Sequence, residues 1–121
     1  MSMGGIALSA LAAGVIAASA PITALEPAFG NTIITTYPNG KVTRTWLHLD
    51  GTYDARRANG DRSAGVWKLK GMQVCITQKR PVYVPVAFCT PVVPGGVGVS
   101  WMAKGLLGEP VRNTLVAGRQ G

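Results

Sequence analysis

The sequence predicts an all-β domain, a small antiparallel meander or barrel of about seven strands, preceded by a signal peptide. Three observations carry the prediction. Short runs rich in β-branched residues alternate with the turn dipeptides Asn39-Gly40, Asp50-Gly51 and Asn59-Gly60. No stretch beyond the N-terminal segment holds a helical period. Cys75 and Cys89 are the only two cysteines of the 121-residue chain, an even number that fits a disulfide in an exported protein.

The N-terminus reads as an export signal. No Asp, Glu, Lys or Arg occurs before Glu26, and the Ala-rich apolar run Ile6 to Ala20 ends in Ala18-Ser19-Ala20, a small-residue cleavage pattern. The run is shorter and less apolar than the roughly 20 residues of a membrane-spanning helix. No basic residue marks its start, and Pro21 would make a poor first mature residue, so cleavage is placed between residues 20 and 24. The expected division is therefore a signal peptide at 1–24, a flexible segment at 25–30 and a barrel-like domain at 31–121. No cysteine lies near the junction to take a lipid, so no membrane anchor is expected after processing. The expected location is periplasmic or secreted.

Within the domain, "NTIITTY" leads to the turn at Pro38-Asn39-Gly40, and "KVTRTWLHL" leaves it with Leu47 and Leu49 on one face and Trp46 and His48 on the other. "TYDARR" follows Asp50-Gly51. "AGVWKLKG" puts Trp67 and Leu69 on the core face and Val66, Lys68 and Lys70 on the opposite one. Gly71 turns the chain into "MQVCITQK", where Val74 and Ile76 face away from Cys75. Pro81 and Pro85 confine the segment Val82 to Cys89 to an edge strand or an extended loop. "TPVVPGGVGVS" reads as a loop, and "GVSWMAKG" and "EPVRNTLVAG" as the last two strands. A bridge between Cys75 and Cys89 would stabilise the domain by about 3 kcal/mol through loop closure.

The stretch "LHLDGTYDARRANGDRSAGVWKLKGMQVCI" resembles the strand-DGTY-strand-turn-GxW-strand pattern of small exported bacterial barrels. These include lipocalin-like domains, uncharacterised periplasmic proteins of proteobacteria and the barrel inhibitors of bacterial metalloproteases. The resemblance spans Thr43 to Thr90. The lipocalin likeness implies a ligand cavity, although a domain this small is expected to fill its interior with its own side chains. The inhibitor likeness implies a free N-terminal segment, for which "LEPAFGN" would have to serve.

Catalytic chemistry finds little footing. His48 is the only histidine, expected on the same face as Asp50, and neither Ser63 nor Ser100 lies in a nucleophile elbow. Asp50, Asp54, Asn59 and Asp61 miss calcium-loop spacing and are interspersed with Arg56, Arg57 and Arg62. The cysteines lack the spacing of a metal site, and Gly95-Gly96-Val97-Gly98 lacks that of a dinucleotide loop. Neither an enzyme nor a cofactor or metal site is expected. The formal charge of +7 falls wholly beyond the signal and favours acidic partners. The candidate anion or partner surface is Arg56, Arg57, Arg62, Lys68 and Lys70, and the candidate barrel-mouth aromatics are Trp46, Tyr53 and Trp101. The expected function is a non-enzymatic binding or interaction module whose partner is a protein, a small ligand or an anionic envelope surface. The alternatives are a cationic protein on anionic lipid or lipopolysaccharide, and a small protease inhibitor. A periplasmic address argues against nucleic acid.

Overall fold

A computed structural model of the chain describes residues 22–120; the expected signal run up to Ala20 lies outside these residues. Eight antiparallel strands form a nearly closed barrel: β1 Thr32–Thr36, β2 Val42–Leu47, β3 Thr52–Arg56, β4 Arg62–Lys70, β5 Gln73–Arg80, β6 Phe88–Pro91, β7 Ser100–Lys104 and β8 Pro110–Val116. The sheet order is β6-β5-β4-β3-β2-β1-β8-β7, a meander in which β8 returns to pair with β1. The expected edge segment before Cys89 forms a strand only from Phe88, and Pro81 and Pro85 stay outside the ladder, while Pro91 and Pro110 stand at strand ends, where a missing N–H is tolerated.

Four connections use one turn geometry. In each, the glycine N–H closes back on the carbonyl three residues earlier, as in Gly40 to Tyr37, Gly51 to His48, Gly60 to Arg57 and Gly108 to Gly105. Those glycines have φ between +82° and +91°, whereas Asn39 and Asn59 do not enter the left-handed region. The turn is thus a three-residue type with glycine at its bulge. The turn after β2 takes up Leu49, which is exposed rather than sharing the core face with Leu47.

Alternation assigns the faces. Leu47, Tyr53, Ala55, Trp67, Val74 and Leu115 form the buried core. Gly65 lies where β4 slips one residue against β5. A Cβ there would strike the carbonyl of Thr77 and the Tyr53 ring, so the pairing of β4 with β5 requires glycine at this point.

One end of the barrel is plugged. Ile22–Ala28 forms a 3-10 helix, and Leu25 and Ala28 belong to the buried core. The segment expected to be flexible at 25–30 therefore carries core side chains, because the barrel end offers apolar surface to cover. Phe29 packs on Trp67 with ring centroids 5.9 Å apart, and the Trp67 indole N–H donates to the His48 carbonyl at 2.7 Å. Among the described residues, no helix is long and apolar enough to cross a membrane.

Candidate functional site

The unplugged end holds an open cavity of about 140 Å³. It lies beneath the connections β1–β2, β3–β4, β5–β6 and β7–β8. Thr35, Thr45, Tyr53, Ile76 and Phe88 project inward from strand positions, while Tyr37, Arg57, Val84, Val86 and Leu106 reach it from the connections. Ser63 and Gln78 complete its polar side. Its lining residues include one cation, Arg57, and no carboxylate. Burial pushes the Tyr53 phenol up, against the opposing effects of Arg57 and Ser63, so the hydroxyl stays protonated at neutral pH. The site therefore presents hydroxyl and amide groups, one guanidinium and a band of apolar carbon. An isolated anion or a neutral polar group is compatible with it; a cation would meet Arg57.

Below the cavity, a polar chain crosses the interior. Thr35 Oγ1 donates to Asn113 Oδ1 at 2.6 Å, Asn113 Nδ2 donates to Thr90 Oγ1 at 3.4 Å, and the Trp101 indole N–H donates to the same Thr90 oxygen at 2.7 Å. Among the described residues no buried side-chain nitrogen or oxygen lacks a partner, as expected for polar groups in a core.

The expected site residues are distributed over several places. Cys75 and Cys89 are bridged and sit directly opposite each other on β5 and β6. Arg57 lines the cavity. Arg56 and Arg62 instead face outward, in register with Arg44 across β2, β3 and β4. Lys68 and Lys70 lie at the far end of β4, toward the plugged end. Tyr53 lines the cavity, but the other two aromatics do not join it. Trp101 lies nearer the plug, beside Leu25, Val92 and Val99. Trp46 is on the outer face, buried beneath the C-terminal segment 117–120: the Arg119 guanidinium lies 3.9 Å from its ring centre, and its indole N–H donates to Thr32 Oγ1 at 2.9 Å.

The outer face also holds His48, whose Nε2 lies 2.6 Å from Asp54 Oδ1, so its partner is Asp54 and not Asp50. Arg119 donates to the other Asp54 oxygen at 2.7 Å. Burial tends to raise the Asp54 pKa, but hydrogen bonds and charge from Arg119 and His48 prevail and hold it below its ordinary 3.8. Ser63 opens into the barrel interior, away from the outer face that holds His48, and Ser100 bonds Thr114 on its own hairpin. Asp50 accepts from Thr52, and Asp61 from Asn59. Among the described residues no three His, Cys, Asp or Glu side chains cluster as a metal site.

Tyr37, Thr43 (which also lines the cavity), Gln78 and the loop residues Val84, Val86 and Leu106 were not anticipated as site residues. Their signal in the sequence is faint: Thr43 and Thr45 occupy the same alternating face as Leu47, which places hydroxyls inward. No protein-family model, curated protein or solved structure matches the chain.

Proposed function

We propose that the protein is a non-enzymatic binding module that receives one end of a small neutral or anionic ligand in the open mouth of the barrel. The observation that carries the reading is the cavity lined by hydroxyls, apolar carbon and a single guanidinium, with no carboxylate among its lining residues. A volume of about 140 Å³ is close to the roughly 150 Å³ that holds one benzene ring in an engineered apolar cavity. It is well below the several hundred Å³ of sites that enclose larger ligands. The ligand would insert one ring or a short chain against Ile76 and Phe88, leaving its acidic or polar end near Arg57.

A periplasmic or secreted location belongs to this proposal. The Cys75–Cys89 bridge supports it, since such bonds persist in oxidising compartments. The inhibitor reading has less support, because Leu25 and Ala28 of its expected free segment are committed to the core.

Benzoate is a suitable probe, with benzylamine as its cationic counterpart. Titration followed by amide and side-chain NMR should give saturable shifts at Tyr53, Gln78 and Phe88 with benzoate and none with benzylamine. Arg57→Ala should weaken benzoate binding at least tenfold, about 1.4 kcal/mol, and Ser63→Phe should abolish it by filling the mouth. Equal response to both probes, or benzoate binding unaffected by Arg57→Ala, would overturn the proposal.

A further inference from the structure

The two ends of the barrel differ in charge. At the open end, the four connections and the strand residues directly flanking them carry Lys41, Arg56, Arg57, Arg62, Arg80 and Lys104 against Asp61 and Glu109. At the plugged end, the same selection together with both described chain ends contains Lys70 and Arg119 against Glu26 and Asp50. A charge excess serving solubility alone has no reason to collect at one end.

Exposed apolar side chains are also more numerous at the open end, with Leu49, Met72 and Val97 their counterparts in the plugged-end connections. Among the described residues, nine large hydrophobic side chains stand exposed, and five of them occupy two open-end loops: Val82, Tyr83 and Val86 after β5, and Leu106 and Leu107 after β7. Leu107 is 91% exposed. Val86 and Leu106 both line the cavity mouth, so the loops converge on one rim. The Lys79 ammonium lies 5.0 Å over the Tyr83 ring, placing a cation beside the most amphipathic of these residues.

We propose that the open end docks on an anionic phospholipid bilayer. Val82, Tyr83, Val86, Leu106 and Leu107 enter the headgroup layer, while the surrounding cations face lipid phosphates. Apolar loop tips ringed by cations match a surface whose negative charge overlies hydrocarbon. An acidic protein surface supplies the charge but no apolar layer for the tips to enter. Docking in this pose turns the cavity mouth toward the membrane. The inference does not rest on the ligand reading: Val86 and Leu106 belong to both surfaces, but Val82, Tyr83, Leu107, Arg80 and Lys104 do not line the cavity.

The test uses the full chain carrying either Leu107→Trp at the open end or Leu49→Trp at the plugged end. Both are read against the unsubstituted chain, whose Trp46, Trp67 and Trp101 emission is common to the two. With vesicles of phosphatidylglycerol and phosphatidylcholine, the indole introduced at the open end should shift its emission to the blue. Brominated acyl chains should quench it, and both effects should fade in high salt, which shortens the Debye length to about 3 Å at 1 M. Neither effect is expected on phosphatidylcholine alone, nor from Leu49→Trp on either vesicle. The charge-reversed pair Arg80→Glu with Lys104→Glu should weaken vesicle binding of the Leu107→Trp chain at least tenfold. Equal responses from the two tryptophan variants, no response from Leu107→Trp, or binding untouched by the charge reversals would overturn the proposal. A response to soluble polyglutamate but not to vesicles would also overturn it, and would assign the surface to an acidic polymer.

Discussion

Trp101 on β7 donates its indole N–H to Thr90 on β6 at 2.7 Å, and this bond spans the gap between the two terminal strands of the sheet. No backbone ladder pairs β6 with β7 among the described residues. Closure there is made by side chains, with Asn113 reaching the same Thr90 oxygen from β8. An open sheet of this size would leave two bare edges available to other chains; here a threonine hydroxyl joins them.

Thr90→Val should loosen that seam while preserving side-chain shape. It leaves the buried Asn113 donor and the part-buried Trp101 donor without that acceptor, and an orphaned donor costs about 1–3 kcal/mol when fully buried. Hydrogen exchange should quicken first in Ser100–Lys104 and Phe88–Pro91, before the β1–β4 amides. Unchanged exchange at both edges would show that the seam is held by other contacts.

Removing the disulfide should act on the same edge from the other side. Cys75→Ala with Cys89→Ala opens a covalent loop of sequence separation 14, which corresponds to about 3 kcal/mol on the chain-entropy account. The denaturation midpoint should fall accordingly, with little change in far-ultraviolet circular dichroism. Mass spectrometry of the unreduced wild type should find no free thiol.

Gly65→Ala should be among the most damaging single-methyl additions to the barrel. The new methyl meets the Thr77 carbonyl and the Tyr53 ring, so β4 and β5 must separate or Tyr53 must leave the cavity wall. A loss of roughly 1–3 kcal/mol is expected from overpacking of this kind, together with weaker probe binding in the mouth. Chemical denaturation of the purified variant measures the first effect and the benzoate titration the second.

Stability should depend on acid through the outer cluster. The Asp54 carboxyl is held below 3.8 by Arg119 and His48 against the opposing effect of burial. Its contribution is therefore complete above about pH 4, the range of an unfolded Asp, and is lost as pH falls through the folded value. Asp54→Asn should cost on the order of 1 kcal/mol at neutral pH, since the pair with Arg119 is partly exposed. It should also flatten the decline of stability below pH 4. Thermal melts across that range, with wild type and variant compared, would read both effects.

Much of the architecture was legible because period and turn chemistry are local. Alternation through Val66, Trp67, Lys68 and Leu69 identified the inward face of β4, and Asp50-Gly51 and Asn59-Gly60 located two hairpins correctly. The pairing of Cys75 with Cys89 followed from their being the only two. Site residues were less accessible to that reasoning. Trp46 and Tyr53 look alike in sequence as strand aromatics, yet one lies under Arg119 and the other lines the cavity. Alternation separates the two faces; what no local pattern anticipates is that Trp46 is covered on the outer face by Arg119, 73 positions away.

By itself, then, the sequence determined an antiparallel all-β chain, the inward faces of its strands and the partners of its disulfide. Tertiary structure alone decided which end of the barrel is plugged, that Leu25 and Ala28 do the plugging, and that Val84, Val86 and Leu106 converge with Arg57 on one mouth. The reason is physical. Strand periodicity records which side of the sheet a residue takes, whereas the end of a barrel is built from connections whose side chains meet only after the sheet has curled.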